Sequence, residues 1–215
     1  MQKFTNLLFV SVILIFFTFC GKDDNPTSPN GGSQNKTGTF TDSRDNHTYK
    51  WVKIGDQTWM AENLAYKPSS GKYWAYDNKE SNAAIYGYLY EWETAQNIAP
   101  EGWHLPSQAE WEKLVSYLGG KEKAYPKLVE KGTLHWRSPN NGTNESGFTA
   151  LPTGYFDQRD NSFNAFGFLT MFHSTTEYSG DNTSAMGLLL NQNFKKASIE
   201  GRPKLLALPV RCVKN

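Results

Sequence analysis

The sequence predicts an α+β domain of short antiparallel strands, about two short helices and long loops. Three observations lead there. Short β-prone runs are separated by Gly, Asn and Asp pairs that favour tight turns. One stretch, "PSQAEWEKLVSYLGG" (106–120), carries a helix start, an apolar stripe and a helix stop. Nowhere do strands and helices alternate as a parallel doubly wound sheet requires.

The chain opens on a segment set apart from that domain. Lys3 precedes an apolar run, Leu7 to Phe19, broken only by Ser11 and Thr18. A spanning helix needs roughly 20 apolar residues, so residues 1–19 read as a signal peptide and not as a membrane span. Cys20 follows directly. A cysteine there resembles a bacterial lipoprotein processing site, which makes Cys20 the expected lipid anchor; an ordinary secreted chain is the first alternative and an uncleaved anchor the second. Residues 20–37 are rich in Gly, Ser, Asn and Pro and bury too little apolar surface to fold, so they read as a flexible tether. The "KDD" after Cys20 resembles signals for export to the outer face of the outer membrane. The expected location is therefore the cell surface, with the membrane as partner through the anchor.

Residues 38–215 are the expected domain. Thr39–Thr41, Thr48–Ile54 and Thr58–Met60 read as strands, with turns at Asp45-Asn46 and Gly55-Asp56. Tyr49 and Trp51 share one face, Val52 and Ile54 the other, so both faces are expected to be covered. Residues 65–83 read as loop. "YGYLYEWETAQNI" (86–98) reads as a short helix with Leu89, Trp92 and Ala95 on one side.

The second helix is expected over 107–118. Ser107 and Glu110 form a capping box: the serine side chain accepts from the Glu110 amide, and the carboxylate returns to the Ser107 amide. Trp111, Leu114, Val115 and Leu118 follow at i, i+3, i+4 and i+7, and Gly119-Gly120 supplies a left-handed stop. Beyond it, residues 138–147 read as a polar loop, 148–156 and 166–174 as strands, and 207–215 as a terminal strand. "QRDNSFN" (158–164) echoes "SRDNHTY" (43–49), which is read as shared turn chemistry.

Several blocks occur in a fixed order: "TYKWVKIGDQTWMAENL", "YGYLYEWETA", "PEGWHLPSQAEWEKLVSYLGG", "NESGFTALPTGYF", "STTEYS" and "PVRCVKN". Together they resemble the Fibrobacter succinogenes major paralogous domain family. The helix block and the "VRC" ending are also similar to the formylglycine-generating-enzyme/sulfatase-modifying family. That resemblance implies a C-type-lectin-like fold whose first and last strands lie together, and it implies no settled activity. Family members often carry a cysteine before the "PxGWHLP" block, where this chain has Ala99. Cys212 matches the other half of that bridge, so the resemblance implies a lost disulfide and a Cys212 that packs as a small apolar residue. The block "MFHSTTE" also departs from a "WWSSTE"-like pattern.

The balance of 22 Lys+Arg against 21 Asp+Glu gives no general attraction to nucleic acid. Formylglycine-generating oxidases use a cysteine pair, and the folded part holds Cys212 alone. Related iron-dependent sulfoxide synthases use a histidine cluster. Here His47, His104, His135 and His173 stand apart, and no zinc-type ligand spacing occurs. His104 reads as structural, Glu110 as a cap and Glu112 as solvated. No cofactor is expected; calcium is a minor alternative at 156–161 or 140–146. Trp51, Trp59, Trp92, Trp103 and Trp111 are assigned to the core. Rings in or beside loops, above all Tyr73, Trp74, Tyr76, Trp136 and Tyr155, are the candidate ligand-binding residues, with Phe163 and Tyr178 nearby in the pattern. The expectation is a non-catalytic surface domain for binding or adhesion, with polysaccharide or glycan as the ligand class. An enzyme of unknown reaction on the same fold, or a structural envelope protein, are the competing readings.

Overall fold

The computed structural model describes residues 35–215. The readings for residues 1–34, including the signal segment, Cys20 and most of the tether, lie outside the described residues. Ordered contacts begin before residue 38. The Asn35 side-chain amide donates to the Ser146 carbonyl at 2.9 Å, and the Lys53 amide donates to the Lys36 carbonyl at 2.7 Å.

A meander opens the domain: β1 (Thr37–Thr41), β2 (Thr48–Ile54) and β3 (Gln57–Met60) pair in antiparallel order. The β1–β2 turn uses Asn46 in the left-handed region (φ 60°), and the β2–β3 turn uses Gly55 (φ 63°). As the alternation requires, Tyr49 buries on one side of β2, and Val52 and Ile54 on the other.

The segment read as loop and one helix is more structured. It holds β4 (Tyr73–Trp74), a single 3-10 turn (Tyr76–Asn78), α1 (Glu80–Tyr86), β5 (Leu89–Tyr90) and α2 (Trp92–Ala95). The expected helix over 86–98 is thus cut to its middle, because Leu89-Tyr90 extends to pair with Tyr73-Trp74. Helix α1 escaped notice because only Ala83 and Tyr86 are buried, too short a stripe to show period.

β6 (Trp103–His104) leads into α3 (Gln108–Tyr117). The capping box forms as expected, with Ser107 as N-cap and Glu110 returning to its amide. At the other end Gly120 N–H reaches the Val115 carbonyl and Gly119 N–H the Ser116 carbonyl, with both glycines at positive φ. A further helix, α4 (Lys121–Leu128), was not expected from sequence. Pro126 lies inside it, where proline disfavours a helix. The ring forfeits one backbone hydrogen bond, and burial of Ala124, Tyr125 and Leu128 outweighs that loss.

Residues 130–154 contain only isolated bridges at Ala150 and Gly154, so the strand expected over 148–156 shrinks to its end. β7 (Tyr155–Asp157) and β8 (Ser162–Asn164) form a hairpin; β9 (Leu169–Glu177), β10 (Ser184–Asn191) and β11 (Lys196–Pro203) form a three-stranded sheet. β12 (Leu206–Pro209) and β13 (Val213–Lys214) finish the chain, so the single terminal strand expected is two.

The strand orders are β1-β2-β3-β13-β6, β11-β10-β9 and β4-β5-β12-β7-β8. All ladders between named strands are antiparallel, which is the α+β class. The last nine residues of strand-forming chain therefore enter the interior of two sheets: β12 between β5 and β7, β13 between β3 and β6. The first and last strands share a sheet, separated by β2 and β3.

The main core lies where α3 and α4 meet the sheets, around Trp59, Trp111, Trp136, Phe148 and Phe172. Trp59 and Trp111 stack at 4.5 Å between centroids. A second core gathers Tyr49, Tyr90, Trp103, Val210 and Cys212. Among the described residues, these cores lie within one compact unit.

The echoing turns have one mechanism. Asp42 accepts from the Arg44 amide at 3.0 Å and from its guanidinium Nη2 at 2.6 Å; Asp157 accepts from the Arg159 amide at 3.0 Å and from Nη2 at 2.5 Å. Each is followed by an asparagine at positive φ, Asn46 and Asn161. A buried aspartate that binds its own turn amide and guanidinium fixes the hairpin reversal twice in the same way.

Candidate functional site

The five rings singled out in the sequence do not converge. Trp136 is buried in the main core and donates Nε1–H to the Ala150 carbonyl at 2.9 Å, so no face of it meets solvent. Tyr76 is buried against Phe166, with centroids 4.5 Å apart. Trp74 is half-buried and stacks on Phe156 at 4.4 Å; Tyr73 packs edge-on to Tyr88 at 5.2 Å. Tyr155 is half-buried beside Leu206 and Leu208 and does line a groove. Loops in this fold are held down by aromatic side chains, so a ring next to a turn is more often a plug than a platform. Phe163 joins the Tyr76–Phe156 stack, while Tyr178 is exposed and lies over Gly201.

The ring that does face an open groove was assigned to the core. Trp51 is half-buried and lines a groove of about 460 Å³ with Thr37, Thr39, Lys50, Glu62 and Thr149. Ligand clefts of small molecules commonly fall in the range of roughly 300–1,000 Å³. Trp51 lies across β1 and donates Nε1–H to the Thr39 carbonyl at 3.2 Å. Gly38 makes that possible, since a Cβ there would sit 2.5 Å from the indole. Lys50 and Glu62 pair at 3.3 Å at the groove. The lining thus combines an aromatic surface, three threonines and a compensated ion pair. Trp92 likewise leaves the core set: it is half-buried, donates to the Ser174 carbonyl at 2.9 Å and carries Lys204 over its ring at 4.2 Å.

Arg211 fixes one wall of this groove. Its side chain is fully buried, with no carboxylate partner among the described residues. The guanidinium donates to Asn63 Oδ1 at 2.7 and 3.0 Å, to the Met60 carbonyl at 3.1 Å, to the Phe148 carbonyl, and to the Thr149 carbonyl at 3.3 Å. It also lies 4.4 Å over the Phe148 ring. Burial pushes it down to about 9, so it is charged at neutral pH. One cation therefore joins the end of β3, Asn63 and the 147–149 loop, and Thr149 holds its place in the groove at φ 55°.

A second, more polar cleft of about 390 Å³ lies between residues 66–71 and α2, where Arg44 stacks on Tyr66 at 3.9 Å beside Ser69, Ser70 and Asn97. His104 sits in a third cleft. Its Nε2 is 2.7 Å from Glu110 Oε1 and its Nδ1 is 2.6 Å from Asn215 Oδ1. Both ring nitrogens are engaged, which ties β6, the α3 cap and the chain end together. Glu110 thus does more than cap, and Glu112 is exposed as expected. His135 binds Glu130 at 2.8 Å, and His173 is buried, Nε2 donating to the Tyr90 carbonyl at 2.8 Å. In the two loops considered for calcium, several side-chain oxygens already have protein partners. Asp157 holds Arg159, the Asn140 carbonyl oxygen accepts from Gly142, and that of Asn144 from Thr149. Cys212 is a free, buried thiol, pushed up to about 12 by burial, and Ala99 packs against the same cluster.

The sequence profile of the family described as Fibrobacter succinogenes major domain matches residues 52–214, about three quarters of the chain. The chain belongs to the Fibrobacter succinogenes major domain family. No curated protein and no solved structure matches it. In this major domain, α3, the buried Arg211 and Cys212 fall within the matched residues. β1, Lys50 and Trp51, which form one side of the groove, precede them. Among the described residues, no helix is long and apolar enough to cross a membrane.

Proposed function

We propose that this major domain is a non-catalytic, lectin-like module that binds carbohydrate in the Trp51 groove, at the cell surface, tethered to the outer membrane by a lipid on Cys20. The observation that carries the reading is the Trp51 ring in an open groove lined with threonine hydroxyls. A pyranose has an apolar C–H face and a hydroxylated rim. A flat indole takes the face, and the hydroxyls with the Lys50–Glu62 pair take the rim. The support for the anchor is the apolar run ending at Cys20, followed by a segment too polar to fold; several acyl chains at about 0.8 kcal/mol per buried methylene hold a soluble domain on a bilayer.

Trp51→Ala should lower affinity for any polysaccharide retained by the domain at least about tenfold, the equivalent of roughly 1.4 kcal/mol. Its circular dichroism should be unchanged, since the ring is half-exposed. Affinity electrophoresis and glycan arrays read the result; equal retention by the variant removes the groove from the proposal, and an array with no hits removes the carbohydrate. Cys20→Ser should move the protein from the membrane to the soluble fraction, and unchanged partitioning counts against the anchor.

A further inference from the structure

A different groove has another chemistry. It runs over the outer face of the three-stranded sheet and measures about 310 Å³. Its floor is Leu169, Met171, Leu189 and Leu206. Tyr155 closes one side, and Phe194, at the β10–β11 turn, closes the other with 70% of its surface exposed. An apolar side chain so exposed at the lip of an apolar groove marks a surface that something covers.

What covers it is indicated by two arginines that also line the groove, Arg159 and Arg202. Arg159 binds Asp157 through Nε and Nη2, and Arg202 binds Glu200 through Nη2; in both, Nη1 makes no hydrogen bond among the described residues. Asp157 is only 7% exposed, so the pair presents its guanidinium to solvent. Arg202 Nε is buried without any partner, a donor whose desolvation nothing offsets. Each guanidinium is already paired on one side, and its Nη1 can bridge a second carboxylate through a charge-assisted bond stronger than one to a neutral group.

We propose that this groove binds a single-chain amphiphile with a carboxylate head, a medium-chain fatty acid being the simplest case. The acyl chain lies along Leu169, Met171 and Leu189, Phe194 folds over it, and the carboxylate meets the free donors of Arg202 and Arg159. The inference is independent of carbohydrate binding at Trp51, which lies on a different sheet.

The test uses the full chain carrying Cys20→Ser, so that no lipid is attached, with three probes: decanoate, decanol and zwitterionic phospholipid vesicles. Calorimetry below the micellar range should show saturable decanoate binding, and decanol binding roughly tenfold weaker or less. Arg202→Gln with Arg159→Gln should bring decanoate down to the decanol level while leaving decanol unchanged. Phe194→Ser should weaken both probes about equally, and it is a surface change that leaves folding intact. Equal affinity for decanoate and decanol, no loss of that preference in the arginine variants, or binding to vesicles without binding to free decanoate would each overturn the proposal.

Discussion

Replacing Arg211 with methionine should destabilise the domain by about 3 kcal/mol, because it strips a charged donor from several buried acceptors at once. Methionine approximates the length of the stem and fills its volume. It leaves the Met60, Phe148 and Thr149 carbonyls and Asn63 Oδ1 without the donors they now share. Each acceptor left buried costs about 1–3 kcal/mol, less where water enters or the loop relaxes. Arg211→Lys should rescue little, because one ammonium cannot reach three carbonyls and an amide from a single point. Urea unfolding followed by tryptophan fluorescence measures the loss. A midpoint within error of the parent would show that the loop keeps its position by packing alone. Since Thr149 lines the Trp51 groove, the same variant should also weaken any ligand retained there, even in the fraction that stays folded.

Acid should unfold this domain earlier than its carboxylates alone would dictate, and His173 is the cause. Burial pushes its imidazole from 6.5 down to about 4. Between those values the unfolded chain binds a proton that the folded chain does not, so stability falls as the pH falls through that window and is complete above 6.5. A shift of this size corresponds to about 3 kcal/mol lost by pH 4. His173→Gln, which has a comparable donor for the Tyr90 carbonyl and no charge to gain, should flatten the profile between pH 6.5 and 4. Chemical denaturation at a series of pH values tests this; parallel profiles for the two proteins would show that another group titrates there.

Much of the backbone plan was legible. The α3 boundaries followed from Ser107, Glu110 and Gly119-Gly120 because these act locally, through bonds within a few residues. The β1–β2–β3 meander was legible for the same reason. Helix α4 was not, since Pro126 opposes it and only contact with β11 and the core supports it. The β10–β11 hairpin passed unread because "SAMGLLLN" is apolar on both faces and shows no alternation. The candidate site fared worse. Trp51 and Trp136 have equally bulky side chains in equally plausible strands or loops. Which ring is left open depends on Gly38, Arg211 and the 147–149 loop, and Arg211 reaches partners 62 to 151 residues away in the chain. Arg211 itself was visible only as a letter in "VRC", with no local signal that it is buried among carbonyl and amide acceptors.

Cys212 gives the domain an internal clock. In residues 35–215 it is the lone thiol, it sits at the join of β12 and β13, and its surroundings keep it protonated. An alkylating reagent can reach it only when the chain end leaves the middle of both sheets. The rate at which the thiol is modified therefore counts the openings of the chain end, and in excess reagent it converges on the rate constant of that opening.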